Sequence, residues 1–424
     1  MIENTRQKQK YIQVAEKIAD KLCTSAYWHD LRCNWIGKST EETMPMITTT
    51  YNKALSSEVY DGTSGIGLFL SNLYIHKKND NYYRTSEGAI NQALSQVDNI
   101  PNNSRFGFYS GILGVIYVAI EIGKNLKNNI LIETGLNHLE KLYRDLNNEH
   151  LLDIISGNAS GIPILLILYN FFKDERMLEL AILLGNDLID KAIKESYGWS
   201  WDSISNGVIS CSNNLTGFSH GSAGMGYSLL ELYHKTKEIK FLDSAGNAFS
   251  YENYWFNKEK NNWPDFRTDE RNPNTNVTYA VTWCHGAPGI GLSRIRANCI
   301  LKEEKYLVDS KAAIDTSSKI LTLLVDSTFD RNNAYDFSLC HGISGICETI
   351  LYANKIFKEN SYQSIIDKVG NFGIENYMIS GAKWPCGIKE GETPGLMLGL
   401  SGIGNFYLQL YDPTIINPLI LLPE

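Results

Sequence analysis

The feature that most limits how this chain can fold is a glycine pair repeated along its length. Gly-x-x-Gly stands before an apolar run at Gly62–Gly65, Gly111–Gly114, Gly221–Gly224, Gly286–Gly289, Gly342–Gly345 and Gly399–Gly402. A seventh copy, Gly157 to Gly161 in "ISGNASGIPILLILY", is one residue longer. The copies recur at intervals of roughly 45 to 65 residues, a period that suits one pair of helices with its loops. The segments after the glycines, such as "IGLFLSNLY", "VIYVAIEIG" and "IPILLILYNFF", are apolar on nearly every side. Helices buried all round look like this. The segments between them, among them "EKIADKLCTSAYW", "NQALSQVDNI" and "SKAAIDTSSKILTLLV", carry apolar residues at three- and four-residue spacing. That is the pattern of amphipathic outer helices.

Seven such alternations predict an all-α fold, an (α/α)7 toroid of seven inner and seven outer helices. One domain is expected over residues 1–424, with 1–50 as an N-terminal outer helix and lead-in and 51–424 as the seven repeats. The glycines are expected to permit positive φ and to let the turns bring backbones close together. An open helical solenoid has the same period; the unequal decoration of the turns favours the closed ring.

Composition narrows the function classes. Of 424 residues 43% are hydrophobic and 20% charged, enough for a large core. A net charge of −8 without a long basic run argues against nucleic acid as a partner. The opening "MIENTRQKQK" has no apolar stretch of the kind a secretion signal needs. No segment reaches the apolar length of a membrane span. A cytoplasmic setting with at most peripheral membrane association is therefore expected. Eight cysteines are too sparse for a disulfide scaffold. Cys23, Cys211, Cys299 and Cys347 read as packing residues.

Three of the last four turns carry metal-ligand side chains just before the first glycine: His220, then Cys284-His285, then Cys340-His341. In a ring, equivalent positions converge on the central cavity. Two thiolates and an imidazole would suit one tetrahedral zinc with its fourth position open, the mark of a catalytic rather than a structural site. On the residues alone, His285 and His341 are equal candidates for the third ligand.

The stretches "YDGTSGIGLFL", "DIISGNASG", "GFSHGSAGMGYSLLELY", "NNWPDFR", "WCHGAPGIGLSR", "LCHGISG" and "WPCGIKEGETPGLMLGLSGIGNFYLQLYDP" resemble the lanthionine synthetase C-like (LanC) family. They most resemble the C-terminal cyclase domain of class II lanthipeptide synthetases. The resemblance runs from about residue 50 to the end of the chain. It implies an α,α-toroid with one zinc per chain and a lanthionine-forming reaction on a ribosomal peptide. A separate dehydration converts serine and threonine to dehydroalanine and dehydrobutyrine. The cyclase then adds cysteine thiols of the same peptide to those alkenes. By motif match the zinc ligands fall on Cys284, Cys340 and His341, and the proton-transfer positions on His220 and Asp153. The implied partners are a dehydrated precursor peptide, a separate dehydratase and an exporter.

The chain departs from its relatives in three places. There is no room in 424 residues for the dehydratase domain of the bifunctional enzymes, so a stand-alone cyclase or an excised domain is expected. His285 stands where stand-alone cyclases commonly have tyrosine, and Ala280 where they tend to have arginine.

The residue types suit this chemistry. A cysteine thiol with a pKa of about 8.5 is mostly protonated at neutral pH, and zinc removes the proton. Addition to the alkene leaves an enolate that needs a proton at its α carbon. A histidine is the suitable acid, His220 first and His285 second. Asp153 is expected to orient a histidine, unless it merely caps its own helix. Two other readings stay open: a non-catalytic peptide-binding toroid, and a zinc enzyme adding glutathione to dehydrated residues. "NWPDF" at 262–266 reads as a loop near the cavity mouth, Cys386 as a spectator, and the terminal "INPLILLPE" as packed against the ring.

Overall fold

All seven glycine turns open a helix. The computed structural model describes residues 2–44, 47–143, 149–203, 210–268, 277–326, 336–388 and 391–423. The inner helices are α2 (Thr63–Lys77), α4 (Ile112–Leu126), α6 (Asn158–Phe172), α8 (Ser222–Thr236), α10 (Ala287–Leu301), α12 (Ile343–Phe357) and α14 (Leu400–Tyr411). Their N-caps are Gly62, Gly111, Gly157, Gly221, Gly286, Gly342 and Gly399. The outer helices are α1 (Ile2–Ser25), α3 (Asp80–Ser95), α5 (Asn129–Leu142), α7 (Glu175–Asp190), α9 (Ile239–Trp255), α11 (Glu304–Asp326) and α13 (Asn360–Gly373).

Six inner helices pack on the outer helix that follows them, whereas α14 takes α1 from the far end of the chain. Neighbouring inner helices pack in sequence from α2 to α14, and α14 packs back on α2. The ring is closed. This settles the solenoid alternative, because a solenoid leaves its first and last repeats apart.

Of the two roles expected of the glycines, the structure bears out close approach and, at six of the seven N-caps, not positive φ. Of the seven N-cap glycines, only Gly286 has a positive φ, at 88°; the others are extended. What they allow is close approach. A Cβ at Gly345 would overlap the carbonyl oxygen of Leu339, and one at Gly114 that of Phe108. Each turn folds back onto the first turn of its own helix, and a methyl group has no space there.

Positive φ appears at the other end instead. Six inner helices finish on a lysine in the left-handed region: Lys78, Lys127, Lys173, Lys237, Lys302 and Lys358, with φ between 50° and 62°. The next residue is Asn79, Asn128, Asp174, Glu238, Glu303 or Glu359. Asn79, Asn128 and Asp174 accept backbone N–H groups at the start of the outer helix. A two-residue Lys–Asn/Asp/Glu link thus reverses the chain. The lysine suits the negative end of the helix dipole, and in the first three links the short Asn or Asp caps the next helix.

Four antiparallel strand pairs accompany the helices. They pair β1 (Tyr27–His29) with β2 (Arg32–Asn34), β3 (Ile36–Met44) with β4 (Ile47–Ala54), β5 (Ile193–Glu195) with β6 (Gly198–Ser200), and β7 (Ser210–Cys211) with β8 (Arg267–Thr268). "EKIADKLCTSAYW" leaves its helix at Ser25 and enters the first of them. Most of these strands are two or three residues long, too short for a period-2 pattern to show in sequence.

The terminal segment enters the ring itself. Leu419, Ile420 and Leu421 are buried. Tyr109 Oη donates to the Pro418 carbonyl at 2.5 Å, Trp283 Nε1 to that of Leu419 at 3.1 Å, and Tyr227 Oη to that of Leu421. Asn417 Nδ2 donates to Glu348 Oε2 at 2.9 Å. These partners come from different sides of the ring, so the tail lies in its hole.

Candidate functional site

The seven turns are joined to one another at the mouth by a circuit of backbone hydrogen bonds. Ser219 N–H donates to Cys284 O (3.2 Å), Cys284 N–H to Cys340 O (3.3 Å), and Cys340 N–H to Met397 O (3.0 Å). Met397 N–H donates to Tyr60 O (2.7 Å) and Tyr60 N–H to Tyr109 O (2.9 Å). Ser110 N–H to Ile155 O and Ile154 N–H to Ser219 O, both 3.0 Å, complete the circuit. Each donor sits two residues before the N-cap glycine of its turn, or one residue to either side of that place. The circuit sets which side chains are neighbours. Cys284 and Cys340, 56 positions apart in sequence, become adjacent on it, with His220 on the next turn beyond Cys284.

The two thiols are close enough that each bears on the ionisation of the other. That contact, together with His285 and Arg267, holds the Cys284 thiol well below the usual range against its burial. The hydrogen bond to Cys284 and burial push Cys340 well above it. As a pair, they give up the first proton easily and the second with difficulty. Thr282 Oγ1 lies 3.3 Å from Cys284 Sγ, and Tyr60 Oη donates to Cys340 Sγ at 2.9 Å.

Two histidines are each held by a carboxylate. His220 Nδ1 is 2.5 Å from Asp153 Oδ2, and His341 Nδ1 is 2.7 Å from Asp336 Oδ2. In both cases the other carboxylate oxygen accepts a backbone N–H of the turn, from Ser156 and Ser338 respectively, at 2.7 Å. Asp153 therefore caps its turn and orients a histidine at once. Burial lowers the pKa of His220, but Asp153 outweighs it and the net shift is upward. Asp336 does the same for His341.

His285 behaves differently. It is buried, its ring centroid is 6.1 Å from that of His220, and burial lowers its pKa. Among the described residues neither of its ring nitrogens has a hydrogen-bond partner; Asp265 Oδ1 stands 3.9 Å from Nδ1. Asp265 instead grips Arg267 with both oxygens, at 2.6 to 3.1 Å. Asn262 accepts the Ala287 N–H at 2.8 Å and so helps start α10. "NWPDF" is therefore a loop, as expected, and a buried one that braces the fifth turn. Cys386 is buried and faces the Thr393 carbonyl.

Sequence reading passed over Tyr60, Asp265, Arg267 and Asp336. A signal existed for the first: Tyr60-Asp61 stands before Gly62 as Cys340-His341 stands before Gly342. Asp336 follows the pattern of Asp153, a carboxylate a few residues ahead of a turn glycine.

The donor set suits a thiolate-binding metal such as zinc: two neighbouring sulfurs, and an imidazole backed by a carboxylate in the manner of metal-bound histidines. As they stand, no three His, Cys, Asp or Glu side chains among the described residues are close enough together to hold a metal ion.

Fold and mouth define a closed helical toroid with a thiol–imidazole cluster at one end. The family model described as "Lanthionine synthetase C-like protein" matches residues 53–422, and the chain belongs to that family. The lacticin 481/lactococcin biosynthesis protein LcnDR2 of Lactococcus lactis subsp. lactis is 27% identical over 369 residues, 83% of this chain and 35% of that protein. The chain thus spans about a third of that relative's length. The nisin biosynthesis protein NisC of the same organism is 25% identical, over 72% of this chain and 76% of that one. Among solved structures, nisin cyclase superposes with a TM-score of 0.62 at 17% identity, covering 84% of this chain and 89% of that chain. A family 76 glycoside hydrolase from a bovine Bacteroides thetaiotaomicron strain shares the fold at a TM-score of 0.52 and 15% identity. No helix among the described residues is long and apolar enough to cross a membrane.

Proposed function

We propose that this chain is a zinc-dependent lanthipeptide cyclase that adds cysteine thiols of a dehydrated precursor peptide to its dehydroalanine and dehydrobutyrine residues. The observation that carries the reading is the adjacency of Cys284 and Cys340 on the mouth circuit, with the His220–Asp153 pair on the next turn. Membership of the family and two relatives named for lantibiotic biosynthesis support it.

Cys284, Cys340 and His341 would hold one zinc ion, Asp336 orienting His341 from behind. When bound, zinc supplies the deprotonation that makes a substrate thiol a nucleophile at neutral pH. The new S–C bond forms at the β carbon of the alkene, and the alkene electron pair moves onto the neighbouring carbonyl as an enolate. His220, whose pKa Asp153 raises against burial, delivers its proton to the α carbon. The proton released by the thiol restores it, so the addition is balanced. Burial lowers the pKa of His285, so it takes up a proton less readily than His220 and is the less suited donor. A separate dehydratase supplies the alkenes and an exporter takes the product, both as partners of a cytoplasmic enzyme.

The test is zinc per chain in purified protein, wild type against Cys340→Ala, with ring formation on a dehydrated peptide followed by mass spectrometry and thiol blocking. About one zinc in the wild type, lost together with ring formation in the variant, is the expected outcome. Ring formation by a protein without zinc would overturn the metal part. Zinc without any ring formation would leave a binding toroid.

A further inference from the structure

The proposed chemistry leaves one polar side chain of the mouth without a task. Tyr60 holds in the first turn the place that Cys284 and Cys340 hold in the fifth and sixth. Its backbone is fixed on both sides, by Tyr109 O at 2.9 Å and by Met397 N–H at 2.7 Å. Its ring meets that of Tyr109 edge to face, with centroids 6.3 Å apart. From this anchored position the hydroxyl crosses the mouth to Cys340 Sγ at 2.9 Å. The neighbouring Cys284 has Thr282 Oγ1 at 3.3 Å, a hydroxyl also engaged by the His285 backbone. Two chemically equal sulfurs therefore sit in unequal surroundings.

The inequality matters because of what the site must handle. A dehydroalanine or dehydrobutyrine residue is an electrophile for any thiolate, including one of the protein's own. Attack by Cys340 would form an S–C bond between enzyme and peptide, with the enolate taking up a proton, and the enzyme would be lost to a stable thioether. A hydrogen bond to a thiolate withdraws electron density from sulfur, and nucleophilicity falls as basicity falls.

We propose that Tyr60 is a positioning residue whose O–H, donated to Cys340 Sγ, keeps that sulfur an inert anchor and so protects the enzyme from alkylation by its own substrate. The proposal rests on the zinc reading above, and its test separates the two. Cobalt(II) is loaded into wild type and Tyr60→Phe, and two quantities are followed. One is the sulfur-to-cobalt charge-transfer band. The other is the alkylation rate of each cysteine by iodoacetamide and by a small dehydroalanine ester, located by peptide mass spectrometry.

In Tyr60→Phe the band is expected to move to lower energy and Cys340 to be alkylated about fivefold to tenfold faster, the scale of a lost hydrogen bond to a charged group reduced by the roughly half weight that basicity carries in thiolate attack. Cys284 should keep its rate. Phenylalanine preserves the contact with Tyr109, so a merely structural role would move neither readout. 3-Fluorotyrosine at position 60, a stronger donor, should slow alkylation of Cys340 below the wild-type rate. Unchanged band and rates in protein that binds cobalt overturn the tyrosine proposal alone. Wild type that binds no cobalt overturns the zinc reading and this proposal with it.

Discussion

The two ends of the inner helices solve the same problem, reversing the chain between one helix and the next, by opposite means. At the mouth the turns are long and fold back on themselves, and glycine is required because carbonyl oxygens such as Leu339 O occupy the space of a Cβ. At the rear the links are two residues long, and a lysine accepts a left-handed φ at six positions. A lysine there costs about 1 kcal/mol of backbone energy, and nothing crowds it. The mouth is thus rigid in backbone and free in side chain, since every turn can carry a different pair before its glycine. Tyr109-Ser110 and Ile155-Ser156 occupy the same frame as Cys284-His285 and Cys340-His341. Chemistry was added to a scaffold whose backbone circuit is indifferent to it.

The contrast can be broken most strongly at the chemistry of the mouth. His220→Ala should reduce ring formation by about 10² to 10⁴-fold, the usual weight of a general acid, with an unchanged thermal midpoint. Asp153→Asn is the finer probe. Asp153 holds the pKa of His220 above its ordinary value against burial, so removing its charge leaves burial to push it down. In the proposed mechanism protonated His220 is the active form, so activity would be lost as pH rises through its pKa. The alkaline limb of kcat/KM should therefore move to lower pH in Asp153→Asn. A limb that stays in place would separate His220 from the proton transfer.

Next comes the mouth's backbone. Gly345→Ala in a cysteine turn and Gly114→Ala in a bare turn should each cost about 3 kcal/mol, read in thermal or denaturant unfolding. Equal losses would show that scaffold and chemistry are separable. A loss confined to Gly345 would tie the backbone strain to the site. The rear gives the smallest effect. Lys302→Gly relieves a left-handed non-glycine residue but loosens the unfolded chain, so stability should change by less than about 1 kcal/mol in either direction. Ring formation should not change at all, and a large loss of activity would show that the rear link reaches the mouth.

Much of the fold was legible because its cause is local. A glycine pair ahead of a buried helix reflects a clash within six residues, as between Gly345 and Leu339, and so recurs in the sequence wherever the turn recurs. The same holds for Cys284, Cys340, His341 and His220, which announce themselves by residue type in equivalent places. Resemblance placed Asp153 and His220 at the proton-transfer positions, and the structure brings the two together at 2.5 Å. The rear links were legible too, as six Lys–Asn/Asp/Glu steps, and were overlooked because lysine is not a residue one expects at positive φ.

By itself, then, the sequence determined seven helix starts, the apolar ring behind them and the residue types presented at the mouth. Only the tertiary structure decided which of those residues meet. Closing the ring took α1 from one end of the chain as the partner of α14 at the other. It drew the tail into the hole and carried the Tyr60 hydroxyl to a sulfur 280 positions away. A helix start depends on sterics over a handful of residues, whereas a contact across the mouth exists only once all seven turns are hydrogen-bonded into one circuit.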